Sequence, residues 1–313
     1  MTKKLITVFG ATGAQGGGLA RAILADTSNE FSVRAVTRKP EGEAARALAA
    51  AGAEVVSADL DDAASLKRAF DGAHGAFCVT NYWEHLSPDK EMAQARNLAV
   101  ASRASRVAHV IWSTLEDTRL RVPLTDERMP TLHGQFKVPH FDTKGSSDQF
   151  FDASRTTFLA TSFYWDNLIY FGMGPKPIES GALGFIMPTG DKKLPGIAAE
   201  DIGKCAFGVL KRGAETFGRH IGIAGEHLTG AQMASALSRA LERKVLHQAV
   251  EPRVYRSFGF PGADDIGNMF QYKAEFEHEY CGARSVSESR SLNPELLSFA
   301  AWLSKYKSKI PLA

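Results

Sequence analysis

The residues of this 313-residue chain that suggest chemistry most directly stand near its start, at Gly10-Ala11-Thr12-Gly13-Ala14-Gln15-Gly16. Glycines at G-x-x-G-x-x-G spacing suit a dinucleotide turn. Gly10 permits a tight exit from a strand, Gly13 lets the backbone approach a pyrophosphate, and Gly16 lets the next helix sit close. Thr12 and Gln15 lie in the same turn, and the helix N-terminus offers unpaired N–H groups to phosphates. The bland alternative is a tight turn with no ligand. The strand–turn–helix setting, at the head of a βα series, argues for nucleotide binding. A second signal is Thr37-Arg38-Lys39, at the end of the second predicted strand. An NAD site places an Asp or Glu there for the ribose 2′-hydroxyl. A guanidinium instead grips a 2′-phosphate with two donors, each charged hydrogen bond contributing about 1.5–3 kcal/mol. Arg38 and Lys39 therefore predict NADP over NAD; the alternative for Arg38 is a solvated loop charge.

The elements that must position these groups follow from hydrophobic pattern. Strands are expected at 5–9, 32–37, 54–58, 76–80 and 107–113, with helices at 14–24, 43–51, 63–70 and 90–104. Continuous apolar strands alternating with helices imply an α/β fold with a parallel sheet buried on both faces. Ligands in such sheets sit at the carboxyl ends of the strands. Thr80 and Asn81 are placed there to meet a nicotinamide ribose. Asp59 either faces an adenine or caps a helix, with Asp61 as the other capping candidate. Tyr82 and Trp83 either wall the pocket or pack in the core. Between Leu115 and Pro139 the pattern lapses around three prolines, predicting a long loop that closes as a lid. A helix follows at 141–151, a strand at 156–161, a returning helix at 201–210, and C-terminal helices at 230–243 and 294–305.

Composition excludes several classes. Apolar residues make up 44% and charged residues 23%, and 37 basic against 35 acidic residues leave no polybasic footprint for nucleic acid. Cys78, Cys205 and Cys281 are too far apart in sequence for a metal-ligand pair and read as free thiols in a reducing compartment. No signal peptide or membrane span is evident, so a soluble cytoplasmic protein is expected.

Six blocks carry a family resemblance: FGATGAQGG from Phe9, VTRKP from Val36, VTNYWE from Val79, HFDTKG from His140, MPTGD from Met187 and GFPGADDIGNMF from Gly259. With them the chain resembles the NmrA-like proteins, atypical short-chain dehydrogenase/reductases, and most closely their NADPH-sensing HSCARG type. The resemblance implies an NADP-binding Rossmann-type doubly wound parallel sheet over residues 1–161, with elements returning near 197–223. It implies a smaller C-terminal α/β domain over 162–313 and a cleft between the two. It further implies a redox sensor and regulator acting through protein partners, a homodimer, and nuclear entry in a eukaryote. Other members of the superfamily reduce quinones or related small molecules.

Working members of that superfamily use Y-x-x-x-K beside the nicotinamide, and this chain has His140-Phe141-Asp142-Thr143-Lys144 at that place. Lys144 is implied to bind the ribose, with His140 on the same helix face where the Tyr would stand. A His starts near pKa 6.5, and a cationic Lys144 nearby is expected to push it lower, leaving a weak proton donor. The leading expectation is thus an NADP(H) sensor with little dehydrogenase activity. The alternatives are an NADPH-dependent reductase of a quinone or small carbonyl compound, and an interaction module without useful nucleotide affinity. Arg38 and the intact glycine turn argue against the last of these.

Overall fold

A computed structural model describes residues 2–312. In the first half, strands β1 (Lys4–Val8), β2 (Phe31–Thr37), β3 (Glu54–Ser57), β4 (Gly75–Cys78), β5 (His109–Thr114) and β6 (Thr156–Ala160) alternate with helices α1 (Ala14–Ala25), α2 (Glu43–Ala50), α3 (Ala63–Phe70), α4 (Pro88–Ala104) and α5 (Pro139–Ser147). All residues of β4 and β5 are buried, as continuous apolar runs require when both faces are covered. The second half adds β7 (Phe163–Tyr164), α6 (Asn167–Tyr170), β8 (Lys176–Pro177), β9 (Leu183–Ile186), β10 (Lys193–Ile197), α7 (Ala199–Arg212) and β11 (His220–Gly222). It ends with β12 (Glu226–Thr229), α8 (Gly230–Leu241), β13 (Val245–Gln248), α9 (Pro252–Arg256), α10 (Ala263–Glu275), α11 (Glu277–Gly282), α12 (Val286–Leu292) and α13 (Phe299–Tyr306).

The main sheet has seven strands in the order β11-β6-β5-β4-β1-β2-β3. Every pairing within it is parallel, and Val8 of β1 stands between Ala35 of β2 and Phe77 of β4. Strand order reverses on either side of β1, so a crevice opens beyond the ends of β1 and β4. The chain returns to this sheet through α7, which lies along α1, and through β11 at the edge. Two three-stranded sheets, β12-β10-β7 and β13-β9-β8, form the rest of the strand content. They share a core around Trp165, Phe185, Phe270, Phe299 and Trp302.

Several boundaries differ from the sequence expectation for local reasons. Pro139 starts α5 because a proline suits the first helical turn, where its missing N–H is not needed. Asp62 caps α3, accepting from Ala64 N–H at 2.9 Å, so neither Asp59 nor Asp61 is the cap. The last helix begins at Phe299, five residues later than predicted, where Ser298 accepts from Ala301 N–H.

The stretch 115–139 is a larger correction. Expected as a lid, it packs as a buttress against α5 and α10, with Leu115 as its residue on the cavity wall. Its own Val122, Met129, Phe136 and Val138 are buried. The buried Asp142 carboxylate accepts from the backbone N–H groups of Thr118, Lys137 and Val138 at 2.8–3.0 Å. Asn268 of α10 donates to Pro130 O at 2.9 Å and Lys137 O at 2.6 Å. Side chains thus satisfy backbone groups left over by the short 3₁₀ turn Thr118–Leu120 and the Leu132–Phe136 bridge. Cys78 and Cys205 are buried in the main sheet layers, and burial pushes both thiols up. Among the described residues no helix is long and apolar enough to cross a membrane.

His109 on β5 is buried, its Nε2 lying 2.9 Å from Thr157 Oγ1. Burial pushes this imidazole down from the usual 6.5 to about 4. The native state holds it neutral, so its contribution is full above about pH 6.5 and is lost as pH falls through about 4. At about 1.36 kcal/mol per pKa unit, the loss on acidification is about 3 kcal/mol. His109→Gln should keep the contact to Thr157 and flatten the fall in urea-unfolding free energy between these pH values. An unchanged slope in the variant would count against this account.

Candidate functional site

The tight exit from β1 places Gly10 at φ +63°, a left-handed conformation open to glycine. Gly16 is required by space: a Cβ there would lie 2.5 Å from Gly10 O and 2.6 Å from Phe9 O. Helix α1 starts after Gly13 with no side-chain cap and no acidic residue in its first turn. Its first N–H groups therefore stand ready for an anion. Thr12 and Gly13 are exposed to a cavity of about 1430 Å³ that runs from this turn to α9 and α10. Gln15 lines it but is engaged, donating to the Tyr164 hydroxyl and accepting from Ser113 Oγ, both at 2.7 Å. It joins the β1 turn to the ends of β5 and β7.

Arg38 reaches the cavity at the end of β2, where no carboxylate precedes it on the strand. A carboxylate arrives from elsewhere. Glu84, on the 3₁₀ turn Tyr82–Glu84 after β4, takes the Arg38 guanidinium in a two-pronged pair, with Nη2 to Oε2 at 2.8 Å. Lys39 points into solvent and is not part of the cavity wall, so the expected pair of basic residues is reduced to Arg38. Asp59 does line the cavity, with its carboxylate accepting from Asp61 N–H at 2.9 Å. Asn81 is exposed on the wall, while Tyr82 is buried with its edge toward Trp83.

Lys144 and His140 share one face of α5, and each meets a carboxylate that sequence reading missed. Lys144 Nζ donates to Thr80 Oγ1 at 2.7 Å and lies 3.1 Å from Glu91 Oε1 of α4. The Thr80 hydroxyl in turn donates to the same Glu91 oxygen. The other Glu91 oxygen lies 3.4 Å from His85 Nε2. His85 Nδ1 accepts from Ser87 N–H, which leaves the ring proton on Nε2, facing Glu91. His140 Nδ1 lies 2.6 Å from Asp265 Oδ1, and the His140 backbone N–H donates to Asp265 Oδ2. The ring also packs on Trp83, 4.7 Å between centroids. Lys144 was expected to set the electrostatics of His140, and the structure corrects this. The charged group in contact with the imidazole is the Asp265 carboxylate, and the lysine is paired with Glu91.

Asp265 lies in the first turn of α10, within the GFPGADDIGNMF block, which signalled kinship but not this role. Glu91 sits in an ordinary-looking helical stretch, KEMAQ, with no signal to mark it. Among the described residues no group of His, Cys, Asp and Glu is placed to hold a metal ion. The arrangement can bind a dinucleotide across the end of the sheet and present a carboxylate-held imidazole to a second ligand.

The NmrA-like family profile matches residues 2–303. An Aspergillus flavus protein named NmrA-like family domain-containing oxidoreductase lnbB is 28% identical over 302 residues, covering 90% of this chain and 86% of its own. Among solved structures, NmrA, a negative transcriptional regulator in complex with NADP, superposes with a TM-score of 0.77 at 24% identity, covering 97% and 95% of the two chains. Triphenylmethane reductase of Citrobacter sp., complexed with NADP(H), gives 0.73 at 18% identity, covering 97% and 99%. At these identities the structural likeness speaks for the fold.

Two substitutions test the pairs described above. Glu91→Gln leaves the Lys144 ammonium buried beside a neutral amide. It should destabilise the chain by about 3 kcal/mol in urea unfolding, the cost of breaking a buried ion pair from one side. Glu84→Gln removes the anion that competes for Arg38. It should tighten NADP binding several-fold in calorimetry while leaving NAD nearly unchanged. Equal effects on the two dinucleotides would show that Arg38 does not read the 2′-phosphate.

Proposed function

The chain belongs to the NmrA-like family, and from that membership and the geometry of its cleft we propose that it binds NADP(H) and reduces a quinone or other small conjugated carbonyl compound. The glycine turn, the uncapped α1 and Arg38 fit the pyrophosphate and 2′-phosphate. Thr80, Asn81 and Lys144 fit the nicotinamide ribose. When bound, NADPH supplies the hydride. The observation that carries the reading is the His140–Asp265 pair on the wall of a cavity larger than a single ligand needs. Ligand pockets are commonly about 300–1,000 Å³, and this one is about 1430 Å³. Asp265 holds Nδ1–H and leaves Nε2 as the group that exchanges a proton with the ligand. It also compensates the charge of the imidazolium form, so His140 can deliver a proton to a substrate oxygen. The missing tyrosine is thereby answered by an Asp-supported histidine.

A second reading, regulation through a protein partner in response to NADPH/NADP⁺, is favoured by the Arg38–Glu84 pair. A 2′-phosphate on Arg38 displaces Glu84 and frees the Tyr82–Glu84 turn, which gives a surface that differs between cofactor-bound and free chains. Likeness to a transcriptional regulator lends this reading support in kind.

NADPH consumption over a panel of quinones and conjugated aldehydes separates the two. The reductase reading expects substrate-stimulated oxidation that His140→Ala lowers about 10²–10⁴-fold. NADP affinity should stay within a few-fold, and Asp265→Asn should lower the rate as well. No stimulation by any compound, with NADP still bound tightly, would leave regulation as the function.

A further inference from the structure

Lys273 on α10 is 3% exposed and lines the cavity at its apolar end. Its ammonium has been given no anion. Among the described residues its one hydrogen-bond acceptor is Met269 Sδ at 3.2 Å, a weak acceptor. Three ring centroids surround Nζ, those of Phe141 at 5.2 Å, Tyr280 at 5.3 Å and Phe270 at 5.9 Å. Ring faces attract a cation but do not replace a carboxylate. Glu116, the carboxylate whose charge acts on Lys273, is committed to Arg284 in a two-pronged pair. A buried cation left without an anion is costly, and the cost is relieved when a ligand supplies one.

We propose that Lys273 anchors an organic acid: a flat, conjugated compound whose anionic oxygen docks on Nζ while its rings lie against Phe141 and Tyr280. The word substrate for that compound rests on the reductase reading above; the binding site itself does not. The aromatic residues provide flat walls, and Met269 and Ile266 extend the apolar lining beside them. An anionic oxygen turns the weak sulfur contact into a charge-assisted hydrogen bond in a site that water scarcely reaches.

The electrostatics give the binding a pH signature. Burial, and then the Arg284 charge, push Lys273 down to about 7, against the opposing pull of Glu116. Its other charged and titratable neighbours stay in one state near neutrality. Arg284 holds Glu116 below the carboxylate range against the effect of burial, burial pushes Tyr272 up to about 12 and Tyr280 higher still, and Arg256 of α9 remains a cation. His140, one residue before Phe141 on α5, lines the same cavity and is removed in a control. The ammonium form is full below about pH 7 and is lost above it, so affinity for an anion should fall as pH rises.

The test is equilibrium calorimetry on the full chain with 2-naphthoate and its neutral analogue 2-naphthamide, at several pH values, with and without NADP. The native chain should prefer the acid at least tenfold near pH 6, and the preference should fall about tenfold per pH unit above about 7. Lys273→Met should abolish the preference while naphthamide and NADP still bind. Lys273→Arg should keep it with a flat pH profile, and it serves if the Met variant does not fold. His140→Gln should leave the profile in place. No preference near pH 6, a flat native profile, a preference surviving in Lys273→Met, or an unchanged profile in Lys273→Arg would each overturn the proposal. A Lys273-dependent preference, together with no NADPH oxidation over the panel of quinones and conjugated aldehydes, would sink the reductase reading and leave this site standing.

Discussion

Glu91 is a carboxylate with no exposed surface, and a buried carboxylate must be answered by a cation or by hydrogen bonds. Here it is answered by Lys144 from α5 and by the Thr80 hydroxyl after β4, while the His85 ring beyond the following turn stands 3.4 Å from its other oxygen. Three segments that approach from different directions are thereby held at one point, the crevice floor beyond β4. Lys144 gains from the arrangement twice, since a cation near a helix C-terminus also meets the dipole favourably. If Glu91 were displaced, Thr80 and Lys144 would lose their common partner. The wall proposed for a nicotinamide ribose would lose its register.

The neighbouring pairs follow the same logic at different depths. His140–Asp265 ties α5 to the first turn of α10, so the imidazole is oriented by an element from the other end of the chain. Arg284–Glu116 ties the segment after β5 to the turn before α12, with Arg284 Nε also donating to Thr161 O at 2.8 Å. His140, Asp265 and Arg284 are buried and Glu116 mostly so, and these pairs hold geometry. Arg38–Glu84 is different. Both side chains are more than two-fifths exposed, so the pair contributes little to stability, as the proposed exchange for a phosphate requires. The cleft thus combines a rigid end around Glu91, His140 and Lys273 with an exchangeable end at Arg38.

The buttress over residues 115–139 braces the end of the cleft around Glu91, His140 and Lys273. Its prolines keep it out of regular structure, yet Asp142 and Asn268 take up its backbone groups. It links α5 to α10, the two helices that carry His140, Lys144, Asp265 and Lys273. Its length alone suggested a moving lid. The polar groups that fasten it belong to α5 and α10, and their partners could not be assigned from length.

What the sequence determined by itself is local or periodic. G-x-x-G-x-x-G between a strand and a helix dictates a turn with a positive φ at Gly10, because only such a turn fits that spacing. Continuous apolar runs at βα intervals dictate a buried parallel sheet, and so the crevice at its strand ends. The missing carboxylate at the end of β2 was legible for the same reason. Tertiary structure alone decided which charge meets which. Glu84 reaches Arg38 across 46 residues and Asp265 reaches His140 across 125, while Lys273 is left without an anion. Each outcome depends on the angle at which two helices or turns are packed. A carboxylate's sequence position carries no trace of that angle, whereas the energy of burying a charge depends on it entirely.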